Sequence, residues 1–125
     1  MNWYKILGYL MHFKLTILLL ATFLLVVPTE SEAYNLSQSI CEFIAADDKK
    51  RLRKLQKTNK FKFRKIFKSV RCNNDNILIF AARRNANDVG ELLIKKLPKK
   101  IIAENMGELE GLSATLAEIA KKRAG

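Results

Sequence analysis

Histidine is almost missing from this chain: His12 is the one imidazole in 125 residues. Cysteine occurs twice, at Cys41 and Cys72, and never as CxxC. Proline also occurs twice, and tryptophan once. Each scarcity excludes a class of chemistry. Two sulfurs without further Cys or His cannot close a tetrahedral zinc shell, and thiol–disulfide catalysis has no CxxC motif to act through. No glycine-rich phosphate loop or nucleophile elbow occurs either. The expectation is therefore no catalytic residue, no cofactor and no metal. Acid is the other scarcity. The chain has 23 Lys+Arg against 12 Asp+Glu, with a pI near 9.9, and between Asp48 and Asp75 there is no Asp or Glu at all.

The amino terminus is organised by hydropathy. Lys14 precedes an apolar run, Leu15–Val27, which Pro28, Thr29, Glu30, Ser31, Glu32 and Ala33 follow. A charged start, a short apolar core and small residues before a cut describe a secretory leader. Ser31 and Ala33 stand three and one positions before the expected cleavage between Ala33 and Tyr34. The alternative is an uncleaved membrane anchor. Only fifteen uncharged residues separate Lys14 from Glu30, fewer than the roughly 20 that a spanning helix needs. Met11 begins a well-proportioned leader by itself, so it is a possible true start. Cleavage would remove His12 and leave an exported, periplasmic or secreted chain in an oxidising compartment.

There, Cys41 and Cys72 read most simply as a disulfide, with two buried thiols as the alternative. Closing a loop of about 30 residues would stabilise so small a domain by about 3.5 to 4 kcal/mol on the chain-entropy model.

Helical periodicity dominates the chain from Tyr34 onward. Leu36, Ile40, Phe43 and Ile44 fall at i, i+4, i+7 and i+8, Asp47 and Asp48 interrupt, and a cationic helix comes next over about 49–57. Glu42, Asp47 and Asp48 could form a carboxylate cluster for acid–base or metal chemistry, but their position before KKRLRKLQK reads as a helix cap. The stretch NILIFAARRNANDVGELLIKKL, Asn76–Leu97, reads as two antiparallel helices around which the domain is organised. Ile77, Phe80, Ala81 and Arg84 share a narrow face of the first helix, Asn87 or Asp88 is placed to cap the second, and Pro98 ends it. Beyond Pro98, Gly107 and Gly111 weaken a helical reading, and a tail helix is expected from about Leu112 to Lys122.

The strongest electrostatic signal lies at residues 49–71. Lys49, Lys50, Arg51, Arg53, Lys54, Lys57, Lys60, Lys62, Arg64, Lys65, Lys68 and Arg71 are the candidate anion-binding residues. In FKFRKIFKSVR, Phe63, Ile66, Phe67 and Val70 gather on one side of a helix, and Lys62, Arg64, Lys65, Lys68 and Arg71 on the other. Either that apolar face packs into the domain and the lysines are merely solvated, or the cationic surface holds the phosphates of nucleic acid, lipopolysaccharide or phospholipid.

Two resemblances complete the reading. IAADDKKRLRKL and FAARRNANDVGELL both carry paired alanines, a polar turn and a second apolar stripe, with the alanine pairs 36 residues apart. The stretch NILIFAARRNANDVGELLIKKL resembles a single ankyrin repeat unit at Leu78, Ala81, Ala82, Val89, Leu92 and Leu93, without the Thr-Pro-Leu-His entry. From about Ser39 to Pro98 the chain also resembles a family of small exported bacterial proteins, DUF3718. The resemblance rests on Cys41-Glu42-Phe43, the basic stretch, Cys72-Asn73-Asn74 and the helix pair. Asn74 stands where that family's motif has glycine, and asparagine is the next best residue for a left-handed turn. The resemblance implies export and a two-cysteine domain, and it implies no activity, substrate or partner.

The expected architecture is all-α: a signal peptide at 1–33, about five short helices in ankyrin-like helix–turn–helix pairs, a two-cysteine domain at 34–100 and an amphipathic tail helix at 101–125. The first functional expectation is a non-enzymatic binding or structural module of the cell envelope, with an envelope protein as partner. The second is a cationic protein that binds anionic polymers or membranes through residues 49–71.

Overall fold

A computed structural model describes residues 3–23 and 30–125 of the chain, with side chains described at 3–14 and from 32 onward. The apolar run of the expected leader, Leu15–Val27, lies outside the described side chains. The chain divides into two compact units, residues 1–32 and 33–125. In the first, α1 (Trp3–Phe23) leaves Trp3, Tyr4, Ile6, Leu7, Tyr9, Leu10 and Met11 exposed. Among the described residues, no helix is long and apolar enough to cross a membrane.

The described residues form eight helices and no strand longer than a single bridge. After α1 come α2 (Glu30–Ala45), α3 (Lys49–Asn59), α4 (Phe63–Ser69), α5 (Ile77–Arg83), α6 (Asn87–Lys96), α7 (Lys99–Leu112) and α8 (Ala114–Ala124). The fold is all-α as the periodicity requires, but it has more than the expected five or so helices. The main reason is α7. Its glycines, Gly107 and Gly111, lie inside a helix of 14 residues with open space where a Cβ would be. Their intrinsic cost, about 1 kcal/mol each, is outweighed by the burial of Ile102 and Leu109 in the core. Ser113 then ends α7 and caps α8 by accepting from the Leu116 N–H at 3.2 Å.

The Asn76–Leu97 stretch lies at the centre, but not with the narrow buried face expected of it. All six residues from Ile77 to Ala82 are buried, so α5 is enclosed on every side, as a helix apolar all round must be. Asn76 caps it, accepting from Leu78 and Ile79 N–H, and donates through its amide to Asn105 on α7 at 3.0 Å. One core joins α2 through α8, drawing Ile40 and Ile44 from α2, Leu52 from α3, Phe63 and Ile66 from α4 and Leu116 from α8. Gly90 lets α6 and α8 approach closely, since a Cβ there would stand 2.5 Å from Leu116 Cδ1.

Two turns of one design join the helix pairs. Asp47 adopts φ 52° and Asn85 φ 54°, each just past a helix end. In the first turn Asp48 N–H donates to Phe43 O and Asp47 N–H to Ile44 O; in the second Ala86 N–H donates to Ala81 O and Asn85 N–H to Ala82 O. This is the Schellman pattern, with Asp and Asn taking the left-handed position that glycine usually fills.

Capping differs from the expectation. Asp48 does cap α3, accepting from Arg51 N–H at 2.9 Å. The position before α6, however, holds buried Ala86, and neither Asn87 nor Asp88 serves it. Asp47 reaches across instead, its carboxylate accepting from Val89 N–H at 2.8 Å and Asp88 N–H at 3.3 Å. The left-handed residue of the first turn thus caps the second helix of the second pair. At the other end of α6, Arg123 from α8 donates to Ile94 O at 2.8 Å. Both caps cross more than twenty residues of sequence.

Candidate functional site

The disulfide is formed. Cys41 on α2 and Cys72 are bonded, with Cα atoms 5.6 Å apart and a sequence separation of 31. Cys72 begins a two-residue hairpin in which its N–H and C=O pair with those of Asp75. Asn73 and Asn74 between them have φ 49° and 67°, the two positive values that a type I′ turn requires. Asn74 therefore occupies the left-handed position expected of it. Asp75 is held by Arg83, whose Nε donates to it at 2.8 Å; that hydrogen bond, and then the charge behind it, raises the Arg83 pKa further above its ordinary value.

Around the disulfide lies a shallow groove of about 490 Å³, lined by Tyr34, Gln38 and Glu42 of α2, by Arg71, by Phe80 of α5 and by Arg84 just past its end. Arg84 stands over the Phe80 ring at 5.2 Å from its centre. Arg71, though exposed, folds back on α4, donating to Phe67 O at 2.9 Å and to Val70 O at 3.3 Å, so it closes the end of that helix.

The basic stretch divides its surface cleanly. Phe63, Ile66 and Val70 are buried, and Phe61 and Phe67 half-buried, with Phe61 edge-on to Phe63. Of its twelve cations, Lys49 is half-buried and the other eleven are exposed. On α3, Lys50, Arg53, Lys54 and Lys57 recur at i, i+3, i+4 and i+7, which places them on one face. Among the described residues, Arg51 alone of the twelve has an ion-pair partner, Asp48 at 2.9 Å. The apolar face of the stretch is thus packed and its cations are solvated on the same elements.

The structure also adds cations that a linear reading leaves out. Lys49 and Arg53 of α3 line a groove of about 260 Å³ together with Glu91, Leu92, Lys95 and Lys96 of α6. Lys95 is paired with Glu91 at 2.6 Å. That hydrogen bond first, then the charges of Lys95 and Lys49, lower the Glu91 pKa below its ordinary value. The sequence places Lys95 and Lys96 at a helix end; only the packing of α3 on α6 shows that they belong to the basic surface. Among the described residues, no three His, Cys, Asp or Glu side chains converge as a metal shell. Glu42 accepts from Gln38 at 3.0 Å, and Asp47 and Asp48 are both engaged as caps.

These features define a class: an all-helical, strongly basic domain closed by one disulfide. The family described as protein of unknown function DUF3718 matches residues 40–104, from the start of the core on α2 into α7, and the chain belongs to it. Comparison with curated proteins and with solved structures gave no match.

Proposed function

We propose that this chain is an exported, non-enzymatic binding module of the cell envelope that holds an anionic polymer or membrane surface through residues 49–71. The observation that carries the proposal is the exposure of eleven cations along an acid-free stretch. A solvated face without functional demand usually mixes both signs, whereas this one concentrates positive potential and attracts anions. Export is supported by the leader-like amino terminus, by the disulfide, and by the division of the chain at residue 32. The mode of binding rests on what is buried. The apolar side of α4 is consumed by the core, so this helix has no free face to sink into a bilayer. Within residues 49–71, all of them described, no aromatic is fully exposed for bases to stack on, Phe61 and Phe67 being half-buried. Attraction is therefore by charge to phosphate or carboxylate, and it is sensitive to salt.

The test is binding of the oxidised full chain to vesicles of anionic phospholipid, to lipopolysaccharide and to an oligonucleotide, at about 20 mM and about 200 mM salt. The expected result is binding at low salt that weakens steeply at high salt. Absence of binding to all three at low salt would end the proposal.

A further inference from the structure

We infer that the groove between α3 and α6 is a seat for a phosphomonoester or diphosphate group. The inference deepens the proposed function and rests on it. Four cations, Lys49, Arg53, Lys95 and Lys96, line it together with a single carboxylate, Glu91. Glu91 is already satisfied by Lys95, and among the described residues Lys49, Arg53 and Lys96 have no ion-pair partner. An excess of positive charge in a concave space favours a dianion over a monoanion, because the Coulomb energy scales with the ligand's charge. Arg53 adds a planar fork suited to two phosphate oxygens, and the lysines add mobile point charges around it.

Size points the same way. At about 260 Å³, the groove lies below the range of about 300–1,000 Å³ that takes drug-sized ligands, and it suits one or two phosphates. Leu92 is its one apolar lining residue and no aromatic ring faces it, so neither a base nor a sugar is offered a stacking surface. The Glu91–Lys95 pair acts as a strut. It holds one ammonium in place and leaves the charges of Lys49, Arg53 and Lys96 uncompensated, an excess that favours a terminal phosphate over the single charge of a phosphodiester.

The source of that phosphate, free in solution or on a lipid, is separated by the probes. The oxidised full chain is titrated with inorganic pyrophosphate, with vesicles containing phosphatidic acid, with vesicles containing the same share of phosphatidylglycerol, and with an oligonucleotide lacking terminal phosphates. Arg53→Gln with Lys96→Gln empties the groove of two donors, and Lys65→Gln with Lys68→Gln removes the same charge from α4. All four side chains are exposed, and unchanged melting confirms that both variants fold.

Pyrophosphate or phosphatidic acid is expected to bind better than phosphatidylglycerol and the oligonucleotide. The groove variant should weaken that binding at least about tenfold, and the α4 variant less than about twofold. Pyrophosphate binding alone assigns a soluble ligand, and phosphatidic acid alone a lipid headgroup. Equal losses in both variants, or an oligonucleotide that binds best, would overturn the seat while leaving the basic surface in place. Loss of all anion binding by the unmutated chain removes the seat and the proposed function together.

Discussion

Asp47 shows how much one residue can hold in this fold. It takes a left-handed backbone at the end of α2 and places its carboxylate on the amide groups that open α6. Asp47→Ala loses the cap and puts a Cβ residue with no compensating local bond at positive φ. It is expected to cost about 1–2 kcal/mol, whereas Asp47→Asn, which tolerates the same φ and keeps an acceptor, should cost less than half of that. Urea unfolding of the two variants checks this. Equal losses would mean that Asp47's charge, not its cap, is what matters. The sequence marked Asp47 as a cap for the cationic helix that follows it, α3, whereas it caps α6, because propensity describes neighbours in the chain and this cap spans 42 residues. Asn74 was legible for the opposite reason: a left-handed turn is local, and its requirement is written in the two residues that make it.

Among the elements, the glycines are sorted by what stands beside them. Gly90 faces Leu116 at 2.5 Å from the place of a Cβ, and Leu116 is fully buried. Gly90→Ala is therefore expected to destabilise by about 1–3 kcal/mol through overpacking of α6 on α8. Gly107 has open space around it inside α7, so Gly107→Ala should stabilise by about 0.5–1 kcal/mol. Thermal melts of the pair should move in opposite directions; a destabilising Gly107→Ala would show that α7 needs its glycine.

Periodicity made α3, α4, α6 and α8 readable, since each has an apolar stripe and a polar remainder. It understated α5 and α7. A fully enclosed helix has no stripe to detect, and the glycines of α7 register as breakers until the burial of Ile102 and Leu109 is known. On α6, Glu91 has a folded-state pKa below its unfolded one. The stability it confers is present above the unfolded value and is lost as pH falls through the folded value. Glu91→Gln should thus melt slightly below the parent chain at neutral pH, and the difference should vanish in strong acid. A difference that grew on acidification would contradict this sign.

For the whole molecule the decisive feature is the staple between α2 and the hairpin. Besides that bond, α2 is tied to the core by Ile40 and Ile44 and through Asp47 to α6. Reduction is expected to lower stability by about 2–5 kcal/mol, measured as a shift in the denaturant midpoint, with loss of α2 protection in hydrogen exchange before the rest. Unchanged protection on reduction would show that packing alone holds the helix. The pairing of Cys41 with Cys72 was readable from their number and from the leader-like pattern of the amino terminus. The groove that joins α3 to α6 was not, since Lys49 and Lys96 become neighbours of one site only when the core brings their helices together.

Export, the oxidised pair and the envelope role stand on one event at the amino terminus. Intact mass of the chain produced in its native host, taken before and after reduction and alkylation, reports that event directly. The expected species begins at Tyr34, resists alkylation until reduced, and then takes up two labels. A product that keeps its amino-terminal segment, with Cys41 and Cys72 labelled without reduction, would contradict the account.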